Sequence, residues 1–396
     1  MIKEECPVNT PKTPAEMLTY RCQLYRDAHA FKKPERTPYE VALQTWQFYD
    51  AGYTPAVASR NYDIMEECIV RFFREYPVDA CRNIGLRMPL LLSDAVGGQS
   101  VTNDENLSAI DICYMDPEDY DIMLACGERK LVYEKFFLNK FPNVRNFTPQ
   151  QLAAAAKTYV NHINAGIRIK KRLAEEFGIP QAKGTWGISN YFENIFCQYR
   201  GMKGTAMDMR RCPQKVYDLC AMYDIPRNEQ TAAAIMASFD GPDLSQRYDI
   251  GGGFLGHTIL NSKQFERLYA DPMEKVLRAA EAKGKQVFFT SEGSIERVAD
   301  FFNQFKKGTV SMIIEMDDPY EIRKKYPNIC IYGGLKTEVM GRGTPKQCVD
   351  MAKRAIDELG CEGGLVLTES KFTAFPNDMN SENLKAVVEF VNNYRG

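Results

Sequence analysis

The sequence predicts an α/β fold, a (β/α)8 TIM-type barrel with an N-terminal helical extension. Two observations lead there. In the second half of the chain, apolar runs that read as buried strands begin again after roughly 20 to 35 residues, with one helix in each interval. Those runs are continuously apolar rather than alternating, so both faces of the sheet have to be covered. A doubly wound open sheet is the alternative arrangement.

The elements read as follows. Residues 1–110 form the extension and residues 111–396 the barrel. In the extension, Pro38 to Tyr49 reads as an amphipathic helix with Thr37 as cap and Pro38 at its first position. The pair Gly97-Gly98 marks a polar loop, and Asp116-Pro117-Glu118 looks like a helix start. A long helix covers Gln150 to Phe177 and ends at Gly178 and Pro180. The stretch from Trp186 to Arg200 has no clear pattern. Strands are expected at Lys285–Thr290, Thr309–Glu315, Asn328–Tyr332 and Leu365–Thr368. Between them, Ser294 opens a helix with Ile295, Val298, Ala299 and Phe302 on one face. Asp318-Pro319 opens a short helix, and Thr344-Pro345 a longer one that buries Cys348, Ala352, Ile356 and Leu359. The last helix starts at Ser381 and buries Leu384, Val387, Val388 and Val391.

Composition limits the function. The chain has 396 residues, 44% of them hydrophobic, enough for a sizeable core. Its 50 Lys+Arg against 52 Asp+Glu leave a net charge of -2, with no basic excess to attract nucleic acid. Mean hydropathy is -0.38, and no apolar run approaches the ~18 residues of a membrane span. The first residues, MIKEECPVNTPKTP, lack the apolar centre of a signal peptide, so a cytoplasmic location is expected. Twelve cysteines without a CxxC pair are then expected as free thiols. The aromatics near the N-terminus suit a homodimer contact, or equally a layer covering the barrel.

Chemistry is expected where strands end. The first of the four ends carries Thr290 and Glu292, and the second Glu315 with Asp317 and Asp318 behind it. The third carries Gly333, Gly334 and Lys336, and the fourth Glu369 and Lys371. Glu292 and Glu315 are the candidate catalytic carboxylates and the candidate ligands of a divalent metal. Thr290, Gly333, Lys336, Glu369 and Lys371 are candidates for binding a small-molecule substrate. Helix capping is the plain alternative for any acid just past a strand, and Asp318 reads that way. His257 follows Gly251-Gly252-Gly253-Phe-Leu-Gly256, read as a flexible loop, and is a candidate acid or base. His162 reads as a surface or core residue. No HxC, HExxH or paired-cysteine signature supports a thiolate-rich zinc site.

Four stretches resemble the uroporphyrinogen decarboxylase superfamily: YRGMKGTAMDMRRCPQKV (199–216), TILNSKQFERLYADPMEKVLRAAEAKGKQVFF (258–289), YGGLKTEVMGRGTPKQCVDMAKRAIDELG (332–360) and MNSENLKAVVEFV (379–391). The resemblance covers residues 115 to 396 and implies the same barrel, with its site at the C-terminal rim. Two branches differ in chemistry. The true decarboxylases use an arginine pair, an aspartate and a C-terminal histidine against a polycarboxylate tetrapyrrole. Here the last strand ends in LTESKF, without a histidine, and the glutamates would repel such a substrate. The other branch transfers methyl groups to or from a corrinoid held by a partner protein. Its zinc-dependent members use a His-x-Cys and a later Cys, and the aligned positions here are Thr290, Glu292 and Lys371.

The resemblance therefore implies a corrinoid-dependent methyltransferase acting by O-demethylation of a small methoxylated compound, with a separate corrinoid protein. The departing oxygen needs a proton or a metal, and a glutamate or a metal held by Glu292 and Glu315 would serve. The alternatives are a decarboxylase or lyase on a small carboxylic acid, and a barrel retained as a non-catalytic binding protein.

Overall fold

Among the described residues, eight short parallel strands run in barrel order. The computed structural model describes residues 12–84, 89–97, 107, 111, 113–181 and 184–396. The charged segment 1–11 and the second residue of the Gly97-Gly98 pair lie outside them. The strands are β1 (Glu40–Val41), β2 (Ala80–Cys81), β3 (Trp186–Gly187), β4 (Ile250–Phe254), β5 (Val287–Ser291), β6 (Val310–Ile313), β7 (Cys330–Leu335) and β8 (Leu365–Glu369). Strands β3 to β8 form one six-stranded sheet and β1 pairs with β2. Bridges Tyr39↔Leu367 and Leu43↔Thr373, both parallel, join β1 to the β8 side. Among the described residues β2 and β3 do not pair, so the hydrogen-bonded ring is open at that seam.

Pairing thus crosses the expected division at residues 110 and 111, because β1 and β2 lie in the first segment. The helix expected over Pro38–Tyr49 is a correction of substance. Tyr39 N donates to the buried Asp79 carboxylate at 2.9 Å, and Leu367 N donates to Pro38 O at 2.9 Å. Those partners are distant in the chain and hold the segment extended; a helix starts only at Trp46. Glu369, at the end of β8, makes the join firm. Its carboxylate accepts from Tyr39 Oη–H and, at 2.7 Å, from Ala42 N.

The triple glycine is a second correction. Ile250–Phe254 is strand β4, paired on both sides, rather than a loop. Glycine is a poor strand former, but here the neighbouring strand dictates it. A Cβ on Gly252 would stand 2.6 Å from the Phe289 ring.

Inside the wall the residues alternate. Phe288, Ile313, Tyr332 and Val366 face a common interior with Tyr25 and Ala28 of the helix Pro14–His29. That helix closes the N-terminal end. Arg26 pairs with Asp249 at 2.9 Å, both side chains buried, and Ala28 O accepts from Gly364 N at 2.7 Å. The outer helices follow their capping signals. Thr148 opens Pro149–Phe177 with a capping box and Gly178 ends it at φ 64°, while Thr344 opens Pro345–Leu359 in the same way.

The β1–β8 join has a measurable weight. Tyr39→Phe leaves one buried Glu369 oxygen without its donor, and should destabilise the protein by about 1–3 kcal/mol. Urea unfolding measures this, and an unchanged midpoint would count against the join.

Candidate active site

The C-terminal rim is built from loops held together by carboxylates. Glu315 follows β6, and its Oε2 accepts from Gly293 N, in the turn after β5. That contact lays the Glu315 carboxylate against the peptide following Glu292, so the two acids share one stretch of rim. Gly293 has φ 79°, and a Cβ there would lie 2.8 Å from Thr258 Cγ2. The turn needs glycine on both counts.

Asp317 completes the β5–β6 tie. It accepts from Ser294 Oγ at 2.6 Å and Ile295 N at 2.7 Å. These bonds hold residues 294–298 in a turn, and the helix expected to open at Ser294 runs instead over Ala299–Asn303. The apolar face is as read, with Ile295, Val298, Ala299 and Phe302 all buried. Asp318 is a cap, accepting from Tyr320 N at 2.8 Å.

Thr290 pairs with Gly253 across β4 and β5, two residues along from the inward Phe288. By alternation Thr290 faces the interior, above the aromatic floor. A Cβ on Gly253 would meet only ordinary contacts with Thr290, which leaves room at the mouth there.

His257 sits deeper than a solvent-facing catalyst would. It is 1% exposed, and its ring packs edge-on against Phe254 with centroids 4.8 Å apart. Nε2 lies 3.0 Å from Ser294 O. A carbonyl only accepts, so Nε2 carries the proton and Nδ1 the lone pair. Nδ1 is buried without a hydrogen-bond partner. Burial pushes the His257 pKa below the usual histidine value, so the ring is neutral near pH 7. Its visible work is to tie the β4 loop to the β5 loop. Glu193 fixes the same loop from β3's side, its Oε1 accepting from Leu255 N at 2.8 Å and Gly256 N at 2.9 Å.

The remaining candidates divide. Lys336 and Lys371 are exposed on neighbouring turns, joined where Lys371 N donates to Thr337 Oγ1 at 3.1 Å. Gly333 lies in β7 opposite Leu367, and a Cβ there would make only ordinary contacts. Glu369 is not brought to the open mouth. It is fully buried with both oxygens engaged on the β1 segment, and burial raises its pKa. His162 is buried beside Tyr62, whose Oη lies 3.3 Å from its Nδ1.

The sequence reading missed Arg82, just past β2. Its Nη2 donates to Thr368 Oγ1 at 2.8 Å, across the mouth from β2 to β8. A strand of two residues leaves no periodic signal, so nothing local marked it. Glu40 was missed likewise; it is buried and paired with Arg247.

A zinc site of histidine and cysteine ligands does not fit this rim. Thr290, Glu292 and Lys371 hold the aligned positions, and Glu315 spends one oxygen on a backbone amide. Among the described residues, no group of three or more His, Cys, Asp and Glu side chains could hold a metal. No helix among them is long and apolar enough to cross a membrane.

The family profile described as Uroporphyrinogen decarboxylase (URO-D) matches residues 198–394, which include β4 to β8 and the loops just described. No curated protein matches the chain by sequence. Among solved structures, a methyltransferase from Methanosarcina mazei is similar in fold, with a TM-score of 0.57 and 13% identity. The match covers 96% of this chain and 99% of that one.

The buried histidines set a pH response. Burial lowers the pKa of His257 and, more strongly, of His29. The unfolded chain therefore takes up protons first as pH falls through about 6.5, and stability is lost below that point. His257→Gln removes one such group. Urea midpoints from pH 8 to 5.5 should show the variant gaining on the parent protein as pH falls; a constant difference would refute this.

Proposed function

We propose, from the premise that this chain belongs to the uroporphyrinogen decarboxylase superfamily, that it is a methyltransferase that demethylates a small methoxylated compound. The observation that supports the reading is the contact of Glu315 with Gly293 N, which sets the Glu315 carboxylate against the turn that carries Glu292. Similarity in fold to a methyltransferase over almost the whole chain supports it.

The chemistry asked of the rim is modest. An ether methyl group is attacked by a nucleophile, the C–O bond breaks, and its electron pair stays on oxygen. That oxygen must be protonated as it leaves, since an unprotonated alkoxide is a poor leaving group. In this reading Glu315 is oriented by the Gly293 amide and helps place the ether oxygen, and Glu292 delivers the proton. Thr290 and the space at Gly253 receive the methoxy group, with Lys336 and Lys371 at the edge of the mouth. His257 acts as a positioning residue through Ser294. The methyl acceptor is a reduced corrinoid carried by a separate protein, which supplies the nucleophile. No metal ion is given a part.

The test is methyl transfer from a panel of methoxyaromatic compounds to a reduced corrinoid, followed by the absorption change at cobalt. Glu292→Gln is expected to lower kcat by about 100-fold or more, the usual weight of a general acid. Glu315→Gln is expected to lower it comparably, with melting temperatures close to the parent's. Carbon dioxide release from a small acid without corrinoid, and no methyl transfer, would replace this reading with a decarboxylase.

A further inference from the structure

The seam where β2 and β3 do not pair holds a cavity of about 340 Å³, within the range of small-molecule sites. One wall is the end of β2 with Arg82, and another is the long helix Pro149–Phe177, which contributes Ile163, Ile167 and Lys170. Leu173 and Ile179 close its apolar side. Two cations line this space, and among the described residues lining it there is no aspartate or glutamate. Ile163 is 44% exposed and Ile167 61%, apolar surface at the edge of the cavity.

Arg82 is the telling group. Its side chain is 6% exposed, and burying a guanidinium is costly unless its donors are used. One donor reaches Thr368. Nε lies 3.5 Å from Glu40 Oε1, yet it makes no hydrogen bond. The closer partner of Glu40 is Arg247. Arg82 therefore brings a buried guanidinium to the cavity wall, with its Nε closed off beside Glu40. A carboxylate is the anion whose planar pair of oxygens suits a guanidinium fork, and the isoleucines suit an apolar body attached to it.

We propose that this cavity binds a small organic monocarboxylate with an apolar body, its carboxylate on Arg82 and Lys170. We also propose that this acid is the methyl donor, a step that rests on the methyltransferase reading above. The donor class is then a methoxylated aromatic or similarly apolar acid, rather than a neutral ether.

Isothermal titration calorimetry with benzoate and 4-methoxybenzoate tests the site, with benzamide and methoxybenzene as uncharged controls. Both acids should bind, and each control at least tenfold more weakly. Lys170→Glu, at an exposed helix position, should weaken both acids at least tenfold with an unchanged melting temperature. Arg82→Lys, which keeps the charge but loses the fork, should weaken both acids by a similar factor. In methyl transfer, Lys170→Glu should raise KM for 4-methoxybenzoate with kcat within about twofold. Equal binding of benzoate and benzamide, or binding unaffected by Lys170→Glu, would overturn the site. Acid binding that depends on both cations, without methyl transfer, would overturn the methyltransferase reading and leave the site standing. Transfer from methoxybenzene at the same KM as from 4-methoxybenzoate would overturn the site and leave that reading.

Discussion

Carboxylates that accept backbone N–H groups from the next loop hold the C-terminal rim of this molecule together. Glu193 does so for the β4 loop, Glu315 and Asp317 for the β5 loop, and Glu369 for the segment around β1. Short strands make this necessary. Two wall strands have two residues each and a third also has two, so the ladder alone supplies few hydrogen bonds. Charge-assisted bonds to loop amides are about twice as strong as neutral ones and fix position as well as distance. The same arrangement explains why so many acids stand just past strands, which a reader of the sequence meets first as candidate catalysts.

That double meaning separates Glu369 from Glu315. Both end a strand and both accept backbone amides. Glu369 has each oxygen engaged on the β1 segment and is fully buried, so its work is the wall. Glu315 spends one oxygen on Gly293 and is half-buried at the rim, so its other oxygen is available to a ligand. His257 falls on the structural side of the same line, its proton committed to Ser294 O and its ring shut in by Phe254.

The second half of the chain was legible because each element there is long enough to show its period. Thr344 caps the helix that Thr344-Pro345 announces, in a box with Gln347, and β5 to β8 fall within a few residues of the expected apolar runs. The first half was not, for a physical reason. Strands β1 and β2 are too short to alternate visibly, and what makes residues 38–43 extended is Leu367, Asp79 and Thr373, far away in the chain. Thr37-Pro38 carries a helix signal that these contacts override. Strand β4 was hidden differently, since glycine reads as loop until Phe289 is seen over Gly252. Arg82 shares the difficulty of β2, and with it one whole side of the candidate site escaped the sequence.

The two sides of the mouth differ in sign, and the difference has a magnitude. Acids crowd the ends of β5 and β6, whereas Arg82 and Lys170 stand at the β2–β3 seam with no acid lining the cavity among the described residues. Two unit charges 4 Å apart interact by about 4 kcal/mol at the effective dielectric of a protein surface. Even a third of that is about a tenfold preference. For a substrate carrying one carboxylate, that preference acts twice, drawing the carboxylate to the seam and repelling it from Glu292 and Glu315. In the proposed reaction the opposite, neutral end is left facing the acids. An ether oxygen needs a proton donor there, and a second carboxylate would be repelled. A polarised mouth of this kind orients a monoacid so that its methoxy group meets the space at Thr290 and Gly253, where the proposed reaction takes place.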